Sequence, residues 1–363
     1  MIYIHVPFCH RKCTYCAFYS VASQRLVHDY VDALLVEMEQ RCVEQAHAIK
    51  TIYFGGGTPS LLPLDELARI VEGLKRFFDL SQVEEATIEC NPEDLTPAYL
   101  EGLRQLGLFN RISVGVQSLD DEVLRRLNRR HTAQQALSAV ENACRAGFDN
   151  IGIDLIYGIQ KNPHCLVNME ILDKVTHVSA YSLTVEPGTA LALQVEQGRV
   201  TLPDEDEVVQ QYYTLRDKLV AAGFQQYEVS NYARPGYHSK HNSRYWNRTP
   251  YLGLGPAAHS FDGHSRRWNV NNVNEYILAP TDSFSSEKLT VADAYNELVM
   301  TSLRTTQGLP LSAVPDEYKE LQKRKIQPFV DCGWIIVSEG SVYQPTAEGL
   351  LHADGMAAEL FVT

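Results

Sequence analysis

The sequence has no long hydrophobic run and is poor in positive charge. None of its 363 residues fall in an apolar stretch of eighteen or more, so we expect no membrane span. The opening segment MIYIHVPFC lacks the basic start and the cleavage site of a secretory signal, and it is predicted to form a strand. Lys and Arg number 32 against 45 Asp and Glu, a net charge of −13. That balance argues against a broad nucleic-acid surface, because such a surface needs Lys and Arg.

One local basic stretch, RRLNRRH at 125–131, is a candidate nucleic-acid patch, with a solvated helix end as the alternative. The stretch by itself does not separate these two interpretations, whereas the overall charge argues against a broad nucleic-acid surface. We therefore expect a cytoplasmic protein with no nucleic-acid partner.

Cysteine is scarce outside one short stretch, CHRKCTYC. Five of the eight cysteines occur singly, at Cys42, Cys90, Cys144, Cys165 and Cys332. This pattern is typical of buried free thiols in a reducing compartment. The other three, Cys9, Cys13 and Cys16, lie within eight residues and predict a metal centre. Zinc would need His5 or His10 as a fourth ligand. An iron–sulfur cluster can keep one iron free of protein ligands, and the sequence has no second CxxC to complete a zinc site.

Short apolar runs alternate with longer stretches of helical period over residues 2–222. The runs are IYIHV, TIYF, ATIEC, RISVGV, NIGIDLIY and HVSAYSLTV, starting at positions 2, 51, 86, 111, 150 and 177. The helical stretches cover about 24–48, 62–79, 97–106, 121–146, 166–175 and 204–222. Strand–helix units of this length predict an α/β fold with parallel strands, either doubly wound or a barrel.

Polar residues near the strand ends distinguish these two architectures. Glu89, Gln117 and Asp154 lie near the ends of three runs, and the cysteines and GGGTPS at 55–60 follow two others. In a βα barrel all five features meet at one face, whereas a doubly wound sheet spreads them along a crevice. We therefore predict a partial (β/α)6 TIM-like barrel over residues 1–235. Residues 236–283 are predicted to be an ordered loop that links it to a smaller C-terminal α-rich, winged-helix-like domain at 284–363.

The cysteine triplet after the first strand, followed by GGGTP after the second, resembles the radical S-adenosylmethionine superfamily. In that family three cysteines hold a [4Fe–4S] cluster, and the amino and carboxylate groups of S-adenosylmethionine chelate the remaining iron. The resemblance implies that Cys9, Cys13 and Cys16 bind the cluster. It also implies cofactor contacts from Tyr3, Tyr15, Gly56, Gly57, Thr58, Glu89, Gln117, Arg129 and Asp154. The alternatives are a tight βα turn for the glycines, a backbone-bonded role for Asp154 and core packing for the two tyrosines.

YIHVPFC, FGGGTPS, RISVGVQS and DLIYG resemble the group around HemN, the oxygen-independent coproporphyrinogen III oxidase. That oxidase carries a fourth cysteine where this chain has Phe18. It also has an N-terminal extension, for which we expect no counterpart here because two residues precede Tyr3. HNSRYW at 241–246 fits the HNxxYW pattern of the heme-chaperone branch, HemW. The resemblance therefore implies a chaperone that binds heme, S-adenosylmethionine and a [4Fe–4S] cluster, and that delivers heme to apoproteins without oxidase activity.

His241 is the favoured heme contact, since an accessible His can ligate heme iron while Tyr245 and Trp246 stack on the macrocycle. The alternative is a hydrogen-bonded core histidine, and His259 is a second candidate ligand. Two other functions stay open: coproporphyrinogen III dehydrogenation and radical chemistry on an unrelated substrate. A homodimer or weakly membrane-associated partners are further expectations.

Overall fold

The computed structural model describes residues 1–45, 47–161, 167–338 and 340–362. The strands are β1 Ile2–Val6, β2 Thr51–Gly56, β3 Glu85–Cys90, β4 Arg111–Gln117, β5 Ile151–Tyr157, β6 His177–Ser182, β7 Gln225–Gln226, β8 Asn231–Ala233, β9 Leu252–Leu254, β10 His259–Phe261, β11 Ser265–Asn269, β12 Phe284–Lys288, β13 Leu309–Pro310, β14 Ile335–Ser338 and β15 Val342–Pro345. The α-helices are α1 Val27–Arg41, α2 Leu64–Phe77, α3 Pro97–Gln105, α4 Asp121–Arg126, α5 Ala133–Arg145, α6 Met169–Leu172, α7 Ala190–Glu196, α8 Glu205–Ala221, α9 Lys240–Trp246, α10 Val273–Leu278, α11 Val291–Leu303, α12 Asp316–Asp331, α13 Ala347–Leu351 and α14 Ala353–Leu360.

The six predicted runs form six parallel strands that pair in chain order from β1 to β6. Parallel pairing of consecutive strands through helical crossovers is the arrangement of a βα barrel. The sheet continues with β9 beside β1, and with β8 and β7 beyond β6. Its strand order is linear, so the prediction of a partial barrel is confirmed.

The predicted helix at 121–146 is wrong as a single element. The chain leaves helix after Arg126 and re-enters it at Ala133. Between them Asn128 adopts a left-handed φ of 60°, which Asn tolerates better than most residues. Its side chain donates a 2.9 Å hydrogen bond to the Lys12 carbonyl in the cysteine loop. The interruption therefore holds that loop, and the basic stretch 125–131 is only partly a helix end. The helix predicted at 166–175 is shorter in the structure, where α6 covers only Met169–Leu172. Residue 166 lies outside the described residues.

Residues 236–283 are not a loop, and that prediction is wrong. They form α9, three short strands and α10, and β9 pairs with β1 in parallel register, Ile2 opposite Leu252. Leu254, Val273 and Tyr276 are part of the same hydrophobic core as the barrel. The edge of β1 exposes backbone donors and acceptors, and β9 pairs with them. Residues 236–283 are therefore part of the barrel's sheet and core and not a linker to the C-terminal domain.

The C-terminal residues have a separate hydrophobic core. Tyr295 and Val299 of α11, Ile326 of α12 and Leu360 of α14 pack together there. A three-stranded antiparallel sheet, β13–β15–β14, completes this unit, in the helix–strand–helix–strand–strand order of a winged-helix arrangement. None of the helices in the described ranges has the length and apolar character needed to span a bilayer.

Candidate functional site

The cysteine loop follows β1 and is fixed at both ends by backbone hydrogen bonds. At its start the Cys9 amide donates to the Val21 carbonyl at 3.0 Å, and the Val21 amide donates to the Pro7 carbonyl at 2.7 Å. Further along, the Thr14 amide donates to the Leu127 carbonyl at the end of α4. The loop is therefore held between the first strand and the interruption after α4.

Polar hydrogen-bond donors approach two of the three thiols. The Thr58 hydroxyl lies 3.5 Å from Cys9 Sγ, and Arg129 Nη1 lies 3.5 Å from Cys13 Sγ. Burial raises the pKa of Cys16. Donors directed at cysteine sulfurs are one of the means by which proteins tune iron–sulfur clusters, so this donor set fits such a group.

The structure removes one of the two histidines that a zinc site could recruit as its fourth ligand. His5 is hydrogen-bonded through both ring nitrogens, to the Tyr3 hydroxyl and the Tyr19 carbonyl, each at 3.1 Å. His10 Nδ1 is bonded to Gln24 at 3.0 Å. Across the part of the chain that the structure describes, no three His, Cys, Asp or Glu side chains converge tightly enough to hold a single metal ion. An iron–sulfur cluster does not require side chains to converge on one point, because each cysteine binds a different iron of the cluster.

The glycines at the end of β2 are required by packing against β1 and the residues that lead from it into the cysteine loop. A Cβ on Gly56, whose φ is +107°, would lie 2.6 Å from the His5 ring. A Cβ on Gly57 would lie 2.6 Å from the Phe8 carbonyl oxygen, and the Gly57 amide donates to Val6. This close approach accords with a tight βα turn, and contact with S-adenosylmethionine stays a prediction for both glycines.

Arg129 links the cysteine loop to the ends of β3 and β4. Its Nη2 donates to Asn91 Oδ1 at 2.6 Å and to the Gly115 carbonyl at 2.8 Å. Asn91 Nδ2 in turn donates to Thr58 at 3.2 Å. Sequence reasoning missed Asn91, although its position directly after the third strand was the available signal.

Gln117 has strained backbone at the end of β4. Its φ is +65°, and the pairing with β5 shifts register between Val114 and Gln117. A left-handed residue other than glycine costs on the order of 1 kcal/mol and is often found at functional sites. A Cβ on Gly115 would lie 3.0 Å from Gln117 Nε2 and 3.2 Å from Arg129 Nη2, so the ends of both side chains pack against this glycine. Two of the predicted cofactor residues are thus adjacent.

Two carboxylates of the barrel strands, Glu89 and Asp154, have raised pKa values. Burial, followed by the charge of Asp154, raises the pKa of Glu89 to about 7, against the opposing effect of a 2.6 Å hydrogen bond from the Tyr53 hydroxyl. Burial also raises the pKa of Asp154, to which the Ser113 hydroxyl donates at 3.4 Å. Both side chains are only partly buried, and their contact with a cofactor stays a prediction. The hydrogen bonds to Asp154 therefore come from side chains and not from the neighbouring backbone. Sequence reasoning did not identify Tyr53, which donates to Glu89.

The two predicted tyrosines differ in their surroundings. Tyr3 stacks on Tyr53 with ring centroids 6.2 Å apart, beside Glu89. Tyr15 packs against the small cluster that contains Leu127 and Ile156, so it contributes to a core while its ring stays next to the cysteines.

Arg111 is a buried charge that the sequence did not single out. It is 1% exposed and contacts Thr87 at 3.4 Å. It stands at the start of β4, whereas the cysteines follow the end of β1, so it belongs to the opposite end of the parallel strands.

His241 is fully buried, so the accessibility assumed for it is wrong. Its Nδ1 is bonded to the Thr51 hydroxyl at 3.0 Å and its Nε2 to the Tyr245 hydroxyl at 3.1 Å. Burial is the main cause that lowers its pKa to about 3. The backbone amides of Lys240 and His241 donate to Glu85 at 2.9 and 2.8 Å. The helix that contains HNxxYW, α9, thus lies against the amino-terminal ends of β2 and β3. The structure therefore favours the alternative in which His241 is a hydrogen-bonded core residue.

Comparisons with known proteins agree on the family. A model of the radical SAM superfamily matches residues 3–169, and a model of the HemN C-terminal domain matches residues 289–352. A heme chaperone HemW of Mycobacterium tuberculosis is 38% identical over 86% of this chain and 83% of its own length. A heme chaperone HemW of Bacillus subtilis is 33% identical over 94% of each chain. The structure of coproporphyrinogen III oxidase, HemN, from Escherichia coli superposes with a TM-score of 0.84 at 22% identity, over 99% of this chain and 89% of that one.

Proposed function

The chain belongs to the radical SAM superfamily, in the group of HemN and HemW proteins, and from that premise we propose that it is a heme chaperone. The observation that carries this proposal is similarity to curated heme chaperones over most of both chains. The likeness to the oxidase is one of fold, at 22% identity. In this proposal the protein binds heme and transfers it to apoproteins in the cytoplasm.

We further propose that Cys9, Cys13 and Cys16 hold a [4Fe–4S] cluster and that S-adenosylmethionine binds next to it, at the carboxyl-terminal ends of the barrel strands. The family's cluster, when bound, supplies one electron to the sulfonium of the cofactor. In this proposal Arg129 binds the carboxylate of the cofactor, and Glu89 and Asp154 accept hydrogen bonds from its ammonium or ribose hydroxyls. The remaining predicted contacts are Tyr3, Tyr15, Gly56, Gly57, Thr58 and Gln117.

Phe18 favours the chaperone over the oxidase. It occupies the position of the oxidase's fourth cysteine, and its side chain is 69% exposed beside the cysteine loop. An exposed aromatic ring is suited to contact with a partner or a macrocycle and offers no thiol. Oxidase chemistry is therefore the second candidate, supported by the shared fold alone.

The test is to reconstitute the protein anaerobically, add S-adenosylmethionine and a reductant, and measure two quantities in parallel. We expect saturable hemin binding, and no conversion of coproporphyrinogen III above a cluster-free control. Conversion of coproporphyrinogen III would replace the chaperone with the oxidase. Failure to bind hemin, with cluster and fold intact, would remove the chaperone function.

A further inference from the structure

The histidines of this chain differ in whether a heme iron could reach them. His241 is fully buried and His5 is 4% exposed, and each has both ring nitrogens in hydrogen bonds. His238 and His259 are exposed, and among the described residues neither ring has a hydrogen-bond partner. A ligand to heme iron needs a free, accessible ring nitrogen. Of the exposed histidines that the structure describes, His238 and His259 are the two whose rings also stack on an aromatic ring, so we compare these two as candidate ligands.

The aromatic neighbour of His259 is partly exposed, whereas that of His238 is buried. The register of β10 and β11 places His259 opposite Trp268, and β12 places Ser285 next in the same row. Directly opposite residues project from the same face of an antiparallel sheet. The rings of His259 and Trp268 stack 5.9 Å apart at 21°, and Ser285 is small and exposed. His238 instead stacks on Tyr227, which is 7% exposed.

A buried carboxylate holds the backbone that leads to His259. Glu37, on α1, is fully buried and accepts hydrogen bonds from the Gly255 amide at 2.8 Å, Asn269 Nδ2 at 2.7 Å and the Tyr276 hydroxyl at 2.7 Å. These donors belong to the turn before β10, to β11 and to α10. A carboxylate saturated in this way fixes three segments relative to one another.

Arg41 extends this support to both sides of His259. It is 3% exposed and donates to Glu37 at 2.8 Å, to the Gly253 carbonyl at 2.9 Å and to Ser260 Oγ at 3.1 Å. A Cβ on Gly253 would lie 1.9 Å from the His259 carbonyl oxygen, so only glycine permits this approach. The backbone of His259 is thus fixed from beneath while its ring stays exposed, which is how binding residues are positioned by a supporting shell.

The turn before β10 also contains backbone strain. Ala257 has a φ of +60°, which is unfavourable for a residue other than glycine, and its amide donates to Val270 at 2.9 Å. Burial lowers the pKa of His259, and so does the nearby Arg266 charge, so the imidazole is neutral at physiological pH. Neutral imidazole is the form that ligates iron.

We propose that His259 is the iron ligand for the heme cargo, and that Trp268 and Ser285 form the flat surface on which the macrocycle lies. This inference rests on the proposed chaperone function. In this inference the HNxxYW helix, α9, does not bind the iron. Its role is to support the amino-terminal ends of the barrel strands. Stacking on Trp268 contributes apolar contact, and the Glu37–Arg41 pair keeps the imidazole in position.

The test is a hemin titration of the intact protein, followed by the Soret band. His259→Ala should weaken binding at least tenfold and shift the Soret band of the residual complex. His259→Met should bind hemin with the spectrum of a thioether-ligated iron. Trp268→Leu should weaken binding less and leave the band position unchanged, because it removes stacking and not the ligand.

The matched control is His238→Ala, an equally exposed, aromatic-stacked histidine, which should leave affinity and spectrum unchanged. Far-UV circular dichroism verifies that each variant is folded. Should folded His259→Ala bind hemin with wild-type affinity and spectrum, the ligand assignment is overturned while the chaperone function stands. Should the wild type itself fail to bind hemin, the proposed function falls, and the inference falls with it.

Discussion

The two ends of the barrel strands satisfy their polar side chains differently. At the carboxyl-terminal end, Glu89 and Asp154 are partly open to solvent and have raised pKa values. At the amino-terminal end, Glu85 is 3% exposed and His241 fully buried, and both are saturated by hydrogen bonds with α9 and β2. At the open, carboxyl-terminal end the two carboxylates accept hydrogen bonds from side chains and keep exposed surface for the proposed ligand, whereas the groups at the saturated, amino-terminal end stabilise packing. A polar residue in a motif is therefore not evidence of binding until its partners are known.

The largest expected effect is at the open end. Cys13→Ala should abolish the iron and sulfide content and the brown absorbance of anaerobically reconstituted protein, because three thiolates are the proposed ligands. Iron and sulfide analysis with the visible spectrum measures this. The control is Cys332→Ala, which removes an exposed thiol remote from the loop and should change nothing. A full complement of cluster in Cys13→Ala would contradict the assignment.

At the saturated end the effect should be on stability. Glu85→Ala leaves the Lys240 and His241 amides without an acceptor, so we expect a loss of about 3 kcal/mol in the free energy of unfolding. Urea denaturation measures it. The neighbouring exposed Glu84, which forms a 3.2 Å ion pair with Lys240, is the matched control and should cost less than about 1 kcal/mol on mutation to Ala. Equal losses in the two variants would show that Glu85 does not anchor α9.

Glu228 extends the comparison to a buried carboxylate beside the C-terminal unit. Burial raises its pKa from 4.5 to about 7. The folded protein therefore keeps a proton that the unfolded chain has released, and stability falls as pH rises from about 4.5 to 7. Glu228→Gln cannot ionise, so it should gain up to about 3 kcal/mol relative to the wild type between pH 5 and pH 8.

Urea midpoints measured across that range test the prediction for Glu228. The exposed Glu205→Gln serves as the reference and should show the same pH dependence as the wild type. A stability difference between Glu228→Gln and the wild type that does not change with pH would mean that Glu228 is ionised in the folded protein throughout.

The smallest expected effect is on cofactor binding by the carboxylates at the ends of the barrel strands. Asp154→Ala removes a charged hydrogen-bond acceptor, so S-adenosylmethionine should bind about 10- to 100-fold more weakly, or about 1.5–3 kcal/mol. Isothermal titration of the cluster-loaded protein measures the dissociation constant. Exposed Asp173→Ala is the control. An unchanged constant with the cluster intact would place Asp154 among the structural residues.

The strands were predictable, whereas the interruption after α4 was not. Strands buried on both faces give continuous apolar runs, and each of the six was located to within a few residues. The stretch 127–132 contains no Gly or Pro and continues a helical pattern. It leaves helix because Asn128 bonds to Lys12, 116 residues earlier, and no local pattern reports that contact. The three-residue strand β9 was missed for a similar reason, since it is too short to show a period.

The sequence by itself determined the cysteine triplet, the succession of strands and the carboxyl-terminal position of Glu89, Gln117 and Asp154, because spacing and local period carry that information. It favoured His241 over His259 because of the HNxxYW motif, but it gave no information on whether either ring is accessible. Only the tertiary structure decided that His241 is buried, through contacts with Glu85 and Thr51 that lie 156 and 190 residues earlier in the chain. Burial depends on which distant surfaces meet, and a histidine's chemistry depends on burial.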